Sequence, residues 1–270
     1  MQVILMPTSE HAVNLVAYII SEKLREKPHL VIGLATGRTM IPLYKRLIEM
    51  HKNDGLDFSL AVTFNLDEYI GIPPDHPGSY HYYMYNNFFK HINIDPRNIN
   101  IPNGCAIDIQ TECKRYEEKI KDFGGIDLQI LSIGESGHIG FNEPLSSMFS
   151  RTREKSLSPV TIEQNKHLFP NPEEMPKRAI TMGVGTILEA EQCVVLVTGK
   201  HKSDIVAKAV EGPFTAMISA TALQLHKNCT VVVDEEAGEK LTQKEYYKWI
   251  FENEPEWSKY RELLRRNILI

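Results

Sequence analysis

Residues 30–50 read LVIGLATGRTMIPLYKRLIEM, a stretch that predicts a strand, a turn and a helix in immediate succession. The apolar run at 30–34 is typical of a strand buried on both faces. The pattern from about 41 to 50 is typical of a helix with one apolar face. A strand that leads through a glycine turn into a helix is the repeating unit of a parallel α/β sheet.

The same alternation continues along the chain. Further strands are predicted at residues 3–6, 60–65, 128–133, 193–198 and 230–233, and helices after a cap at Thr8 or Ser9, at 108–121 and at 202–210. The expected fold is therefore α/β, a Rossmann-like open and mainly parallel sheet with helices on both faces. No linker rich in proline, glycine or serine divides the chain, so residues 1–270 are predicted to form a single domain.

Two segments fall outside this alternation. Residues 156–177 are polar and irregular in pattern and contain Pro170, Pro172 and Pro176, so we expect a mobile lid there. Residues 241–270 are charged and aromatic, and are predicted to form an extra C-terminal helical tail.

The composition limits the classes of partner and compartment. The net charge of -5 argues against nucleic-acid binding. No run approaches the roughly 18 apolar residues of a membrane span, and the N-terminal segment lacks the basic lead of a signal peptide. A cytoplasmic location with no membrane partner is expected, and in that reducing environment Cys105 and Cys113 are not expected to pair.

Polar segments follow four of the predicted strands at the point where each strand ends. Because ligands bind beyond the carboxyl ends of parallel strands, a site is expected at these segments. They are residues 35–39 (Ala-Thr-Gly-Arg-Thr), 65–69 (Asn-Leu-Asp-Glu-Tyr), 134–144 (Gly-Glu-Ser-Gly-His-Ile-Gly-Phe-Asn-Glu-Pro) and 198–202 (Thr-Gly-Lys-His-Lys).

The first and last of these segments suit an anion. A glycine turn before a helix aims backbone N–H groups at a negative charge, and the Arg38 guanidinium can bind phosphate through two parallel hydrogen bonds. Lys202 stands at a predicted helix start, after Gly199, where a lysine also suits phosphate. Taken alone, an ordinary turn and a solvated lysine are the simpler interpretations.

The two segments between them carry acid–base groups. Asp67 and Glu68 are adjacent, so their side chains point in different directions, and we expect one to face the crevice and the other to support it. A carboxylate in that place can act as a general base, whereas a single acid would favour a solvated turn. In residues 134–144, His138 titrates near neutral pH, and Glu143 is placed to orient it or to raise its pKa.

Other chemistries lack their signatures. There is no H-E-x-x-H sequence, and the four cysteines form no zinc-finger spacing with histidines, so no metal is expected. Residues 134–138 lack the spacing of the G-x-S-x-G nucleophile elbow, which argues against serine hydrolysis.

These segments, in this order, resemble the glucosamine-6-phosphate deaminase/isomerase family. The resemblance runs from the first strand to about residue 240 and rests on residues 34–37, 64–69, 137–144, 150–153 and 181–186. It implies that an amino-sugar phosphate opens its ring, isomerises through an enolamine to a ketose imine, and is hydrolysed to fructose 6-phosphate and ammonia. No cofactor is implied.

The resemblance also assigns roles to residues. Asp67 would move the proton between C2 and C1, and His138 would be the acid and base of ring opening, assisted by Glu143. The phosphate would be held by Thr36, Gly37, Arg38, Thr39 and Lys202. Some members are hexamers activated by N-acetylglucosamine 6-phosphate and others are monomers, and Ser146, Arg153 and Lys155 match parts of that activator site.

Three departures from the family pattern stand out. Ser136 occupies a position that usually carries Asp or Asn and supports the ring-opening histidine, so we expect a less basic His138 and slower ring opening unless Glu143 compensates. Arg38 replaces a residue that is usually glycine. The phosphate-binding arginine of the lid falls near Lys166 or His167, and Lys166 is therefore a further candidate for substrate binding.

Three alternatives stay open at this point. The same chemistry could act on another amino-sugar phosphate, such as galactosamine 6-phosphate. A weakly catalytic regulator that binds sugar phosphates is a second alternative, suggested by Ser136. The third is a lactonase, which would release acid from a phosphogluconolactone and no ammonia.

Arg38 is expected to supply the guanidinium that the lid lacks. The Arg38→Gly variant should therefore show a sharply higher KM for the sugar phosphate with little change in kcat, because it loses binding that ground state and transition state share. Steady-state kinetics of the two proteins measures this, and an unchanged KM would contradict the assignment.

Overall fold

The computed structural model describes residues 1–265 and is built around a seven-stranded sheet. The strands are β1 (Gln2–Met6), β2 (Val31–Leu34), β3 (Val62–Asn65), β4 (Asp67–Tyr69), β5 (Ile99–Asn100), β6 (Leu128–Leu131), β7 (Arg153–Ser156), β8 (Arg178–Thr181), β9 (Gln192–Val197) and β10 (Cys229–Asp234). The helices are α1 (Ser9–Glu26), α2 (Met40–Asp54), α3 (Tyr80–Asn87), α4 (Ile109–Asp122), α5 (Pro159–Asn165), α6 (Val184–Leu188), α7 (Ser203–Val210), α8 (Lys244–Asn253) and α9 (Ser258–Arg265). The main sheet has the order β1-β10-β9-β6-β2-β3-β5, and its neighbouring strands pair in parallel.

The predicted α/β fold is confirmed. Each predicted strand matches an observed one to within two residues at either end. Strands β2, β3, β6 and β10 are buried at every residue, as expected for a parallel sheet with helices packed around it. Of the two caps considered for α1, Thr8 is the one used, since its side chain accepts a hydrogen bond from the His11 N–H.

A second, three-stranded antiparallel sheet lies beside the main one, and the sequence pattern did not reveal it. Its order is β4-β8-β7, and β4 is only three residues long. The connection to the main sheet is Leu66, whose N–H donates to the Leu34 carbonyl while its own carbonyl accepts from the Met182 N–H. The first residue of β4, Asp67, pairs with Thr181. A single residue therefore passes the chain from one sheet to the other.

The predicted lid segment, residues 156–177, is not irregular. It contains α5 and two short 3-10 turns, and it buries Leu157, Phe169 and Met175 in a small hydrophobic cluster with Tyr69. Pro172 stands at the start of a 3-10 turn, where the missing N–H has no partner to lose. Because most of the segment is polar, the sequence pattern did not indicate that these three apolar residues are buried. Mobility of the segment stays a prediction.

The C-terminal tail is helical where the structure describes it. Helices α8 and α9 account for most of residues 244–265, whereas residues 266–270 of the predicted tail lie outside the described residues. The tail packs on the body through the Tyr260 ring against Tyr18 and through a hydrogen bond from the Tyr247 hydroxyl to Glu211. Among residues 1–265, no helix is long and apolar enough to cross a membrane.

The four cysteines are free thiols. Cys105 is exposed, and Cys113, Cys193 and Cys229 are buried. The expectation that Cys105 and Cys113 do not pair is therefore confirmed.

Glu117 of α4 joins two of the segments on which the family resemblance rests. Its Oε1 accepts hydrogen bonds from the Thr152 N–H and the Thr186 hydroxyl, both at 2.7 Å, and its Oε2 accepts from Arg151 at 2.6 Å. Burial alone would raise the pKa of Glu117, but these hydrogen bonds outweigh burial and hold the pKa below its usual value. The carboxylate thus fixes the region around β7 and α6 to α4.

The Glu117→Gln substitution should lower the free energy of unfolding by about 1–3 kcal/mol, because the amide can no longer accept all of these bonds. Since folding lowers the pKa of Glu117, its stabilisation is present above the unfolded pKa of about 4.3 and is lost as the pH falls through the folded value. Urea unfolding of parent and variant at pH 7 and at low pH measures this. Glu118→Gln, an exposed neighbour on the same helix, is the control, and an equal loss in both variants would contradict the role.

Candidate active site

The carboxyl ends of β2, β3 and β6 open into one cavity of about 200 Å³. Residues of β4, α3 and α5 and of the turn before α7 form the rest of its wall. Of the ten residues predicted from the sequence to form the site, seven line it, namely Thr36, Gly37, Arg38, Thr39, Asp67, His138 and Lys202. Ser136 and Glu143 stand behind His138, and Lys166 lies elsewhere.

One end of the cavity is cationic. The segment 35–39, called the phosphate loop below, runs directly into α2, and its last residue Thr39 makes no capping hydrogen bond through its side chain. The N-terminal N–H groups of a helix favour an anion in that place. Burial lowers the pKa of Lys202, the Glu135 charge opposes this, and the Arg38 charge adds to it. Arg38 and Lys202 are therefore close enough to repel each other, and an anion between them would relieve that repulsion.

Lys202 is held by a hydrogen bond from Nζ to the Ile133 carbonyl at 2.8 Å. The phosphate loop is held from behind by two tyrosines. The Tyr44 hydroxyl donates to the Ala35 carbonyl, and the Tyr83 hydroxyl donates to the Gly37 carbonyl at 2.7 Å. The anion-binding end is thus fixed by bonds within the protein.

Asp67 also lines the cavity. Its backbone is fixed by the pairing of β4 with β8, and its carboxyl is buried against the turn at Gly140. A side chain at Gly140 would place its Cβ 3.3 Å from Asp67 Oδ2 and 2.9 Å from Thr181 Oγ1, so glycine permits this close approach. Burial, reinforced by the Glu68 charge, raises the pKa of Asp67 to about 8. A carboxyl of this kind can both accept and give up a proton near neutral pH.

Glu68 points away from the cavity. It is 2% exposed and accepts hydrogen bonds from the N–H groups of Tyr69, Tyr80 and His81 at 2.8 to 2.9 Å. The adjacent acids therefore divide as the sequence predicted, with Asp67 facing the crevice and Glu68 supporting it.

His138 stacks against the backbone of its own loop. A Cβ on Gly134 would lie 2.2 Å from His138 Nε2, so the glycine makes room for the ring. His138 Nδ1 lies 2.7 Å from the Ser136 hydroxyl oxygen and 3.9 Å from Glu143 Oε2. Burial lowers the pKa of His138, the Glu143 charge opposes this, and the Lys202 charge adds to it. The expected effect of Glu143 has the right sign, but burial outweighs it.

Glu143 is buried and anchors the segment that covers the cavity. Its Oε1 accepts hydrogen bonds from the Ser158 N–H at 3.0 Å and the Thr161 hydroxyl at 2.6 Å, both at the start of α5. Its Oε2 has no hydrogen-bond partner within residues 1–265 and faces His138. One oxygen thus holds the lid segment while the other is left to interact with the imidazole.

Lys166 does not reach the cavity. Its Nζ pairs with Glu163 Oε1 at 2.7 Å, on the outer side of α5. Gln164 and Asn165 line the cavity instead, and Gln164 Nε2 donates to Glu135 Oε2 at 2.7 Å. The segment 156–177 therefore contributes amides to the site, whereas Lys166, in the 3-10 turn that follows α5, does not line the cavity in this structure.

Tyr80 is the main residue of the site that the sequence analysis missed. It lines the cavity from the first position of α3. A signal was present, because Ser79 caps this helix through a hydrogen bond from the Tyr82 N–H. Tyr80 does not directly follow a main-sheet strand, however, so the rule that ligands bind at strand ends does not indicate it. Within residues 1–265, no group of His, Cys, Asp and Glu side chains is arranged to hold a metal ion.

Comparison with known proteins gives a consistent result. Residues 7–232 match the sequence profile of the family described as glucosamine-6-phosphate isomerases/6-phosphogluconolactonase. The glucosamine-6-phosphate deaminase of Thermoanaerobacter sp. (strain X514) is 49% identical over 238 residues, which are 88% of this chain and 94% of that protein. The glucosamine-6-phosphate deaminase of Clostridium botulinum (strain Loch Maree / Type A3) is 48% identical over 244 residues, 90% of this chain and 100% of that protein.

Of two solved structures compared with this chain, a glucosamine-6-phosphate deaminase is more similar than a 6-phosphogluconolactonase. A monomeric glucosamine-6-phosphate deaminase superposes with a TM-score of 0.87 at 43% identity, over 88% of this chain and 99% of that one. The 6-phosphogluconolactonase of Trypanosoma cruzi superposes with a TM-score of 0.70 at 20% identity, over 89% of this chain and 97% of that one. The second likeness concerns the fold alone.

A carboxyl that stays protonated at neutral pH should be detectable in this protein. We expect the ¹³C signal of the Asp67 carboxyl to titrate near pH 8, whereas that of Asp95 titrates near pH 2 because Arg97 stabilises its charge. Folding raises the pKa of Asp67, so its contribution to stability is greatest below the unfolded pKa of about 3.9 and declines as the pH rises to about 8. Asp67→Asn, which removes this signal, should therefore gain stability relative to the parent over that range. Titration of every aspartate below pH 5 would contradict the assignment.

Proposed function

The chain belongs to the family of glucosamine-6-phosphate isomerases and 6-phosphogluconolactonases, and on that premise we propose that it is a glucosamine-6-phosphate deaminase. It converts glucosamine 6-phosphate and water to fructose 6-phosphate and ammonia. The observation that carries this proposal is one cavity with two proton-transfer groups, Asp67 and His138, and a cationic end formed by Arg38 and Lys202. The deaminases are also 43–49% identical to it over almost their full length.

The substrate is oriented by its phosphate. The phosphoryl group binds between Arg38 and Lys202 and the N-terminal end of α2, with the side chains of Thr36 and Thr39 as further donors. This leaves the sugar carbons C1 and C2 to extend toward Asp67 and His138. Binding energy from the phosphate thereby fixes the reacting carbons next to the proton-transfer groups.

Ring opening is the task of His138. The lowered pKa leaves the imidazole neutral at pH 7, so it can take the proton of the C1 hydroxyl and return it to the ring oxygen. The imidazolium that forms between these events is stabilised by the Glu143 carboxylate and oriented by the Ser136 hydroxyl. Ser136 contributes no charge, so Glu143 alone offsets the positive charge.

Isomerisation is the task of Asp67. In its ionised form it removes the proton from C2 while a proton passes from the substrate's ammonium group to the aldehyde oxygen, which gives the enolamine. Asp67 then delivers its proton to C1, which gives the protonated imine of the ketose. A water molecule adds to C2 of this imine, and the carbon–nitrogen bond breaks as ammonia leaves. The raised pKa of Asp67 makes the carboxylate a stronger base than an ordinary aspartate.

The regulatory site and the assembly stay predictions. Ser146 and Arg153, two of the residues matched to the activator site, are neighbours, with 3.2 Å between Oγ and a guanidinium nitrogen. Homo-oligomerisation and a cytoplasmic location rest on the sequence alone.

The test is release of ammonia and fructose 6-phosphate in equal amounts from glucosamine 6-phosphate. Asp67→Asn should lower kcat by about 10²–10⁴-fold, because the amide cannot carry the proton. Ser136→Asp should speed ring opening, since a second negative charge raises the pKa of His138. Asp122→Asn, an exposed aspartate at the end of α4, is the matched control and should leave kcat unchanged.

Two results would contradict the proposal. Undiminished ammonia release by Asp67→Asn would show that Asp67 does not carry the proton. Release of acid from a phosphogluconolactone, without ammonia from either glucosamine 6-phosphate or its galactosamine epimer, would indicate the lactonase instead.

A further inference from the structure

Glu68 makes an unusual set of contacts for a residue outside the cavity. Its Oε1 accepts from the N–H groups of Tyr69 and Tyr80, and its Oε2 accepts from the N–H of His81 and lies 2.9 Å from His81 Nδ1. Three backbone donors and an imidazole nitrogen therefore surround two oxygens. Such a set suits a carboxylate, which only accepts hydrogen bonds.

The backbone donors belong to two different elements. The Tyr69 N–H lies in β4, two residues after Asp67. The N–H groups of Tyr80 and His81 are the first two of α3 and have no partner within that helix. Glu68 thus fastens the N-terminal end of α3 to the strand that carries Asp67.

Helix α3 in turn reaches the phosphate loop. The Tyr80 hydroxyl interacts with the Thr36 side chain, and one turn further the Tyr83 hydroxyl donates to the Gly37 carbonyl at 2.7 Å. Gly37 has φ of +110°, a backbone conformation that other residues rarely adopt, and its carbonyl accepts from both the Tyr83 hydroxyl and the Met40 N–H, so Tyr83 ties this turn to α3. Direct contacts therefore lead from Glu68 through one helix to the loop.

We propose that Glu68 is a positioning residue that joins Asp67 to the phosphate loop through α3 and places a negative charge beside Asp67. This inference rests on the proposed function, because it assigns the role within that site. Hydrogen bonds within the protein then fix the distance between Asp67 and the phosphate loop before substrate binds. The reacting carbons of the bound sugar are thereby held next to Asp67.

The charge of Glu68 also bears on proton transfer. Besides Glu68, the titratable groups that interact with Asp67 are Tyr69, Tyr80 and Tyr116, and burial raises the pKa of each of these phenols above its usual value. They stay neutral where Asp67 titrates, and His81 faces Glu68 from the other side. Loss of the Glu68 charge should therefore lower the pKa of Asp67.

The first test is the Glu68→Gln variant, which keeps the shape but loses the charge and turns an NH₂ group toward backbone donors. We expect KM for glucosamine 6-phosphate to rise roughly 10- to 100-fold and kcat to fall. The midpoint of the acid limb of kcat/KM against pH should move from about 8 to lower pH, by about one unit. An unchanged KM, or an unmoved midpoint, in a folded Glu68→Gln protein overturns the proposal.

The matched control is Glu112→Gln. Glu112 is also buried, accepts a hydrogen bond from the Asn103 N–H and pairs with Arg115, yet it does not line the cavity. It should leave KM and the pH midpoint as in the parent. Equal changes in both variants would mean that loss of any buried carboxylate has this effect, which also overturns the proposal.

A second variant, Tyr83→Phe, tests the contact between α3 and the phosphate loop. It also provides a test of the proposal if Glu68→Gln does not fold. Removal of the hydroxyl should raise KM about 3- to 10-fold, the equivalent of one hydrogen bond, whereas Tyr85→Phe, exposed on the same helix, should not. In the double variant the two effects on KM should be less than multiplicative, because both act through α3. An unchanged KM in Tyr83→Phe, or multiplicative effects, overturns the linkage.

Failure of the proposed function can be told apart from failure of the positioning role of Glu68. If the parent releases no ammonia, the proposed function fails. Calorimetric binding of fructose 6-phosphate to parent and variants then replaces KM, and the ¹³C titration of the Asp67 carboxyl replaces the pH–rate midpoint. Weaker binding in Glu68→Gln with a lowered midpoint supports the linkage, and unchanged values in either measurement overturn it.

Discussion

The backbone bonds of Leu66 are the interaction on which the site depends. Its N–H donates to Leu34 in the main sheet and its carbonyl accepts from Met182 beside the second sheet, so the chain changes sheets within one residue. Asp67 follows at once and is fixed by its pairing with Thr181. A catalytic carboxyl on a strand is held more rigidly than one on a loop. The small antiparallel sheet therefore fixes the position of the Asp67 side chain.

Burial shifts the two proton-transfer groups in opposite directions, and both shifts suit the chemistry. Because burial disfavours charge, it raises the pKa of Asp67 and lowers that of His138. The pKa of Asp67 is thereby brought close to the neutral range, whereas His138 is kept uncharged at pH 7 and free to accept a proton. The cations Arg38 and Lys202 lie in the same cavity, where the phosphate can balance them. The cavity thus brings two cationic side chains together with a buried carboxyl and an uncharged imidazole.

The sequence predicted the parts of the site that follow main-sheet strands, and missed those carried by short elements. Arg38, Asp67, His138 and Lys202 all follow short, largely apolar runs of the kind that predicts a buried strand. Tyr80 is carried by an eight-residue helix that no such run precedes, and β4 is too short for an alternating pattern. Lys166 was named because the lid arginine of the family falls near it, but Gln164 and Asn165 line the cavity and Lys166 turns to Glu163.

The hydrogen bond between Thr161 and Glu143 has a consequence for how this chain can evolve. Thr161 belongs to a polar surface segment of the kind that usually accumulates substitutions freely. Its hydroxyl nevertheless satisfies one oxygen of the carboxylate that faces His138. A valine at 161 would keep the volume and remove that donor, and it would also take away the acceptor of the Ser158 hydroxyl at the start of α5. Its cost would therefore appear beside His138 as well as in the stability of the helix. Position 161 is therefore constrained by the buried acid at 143 and not only by the helix that carries it.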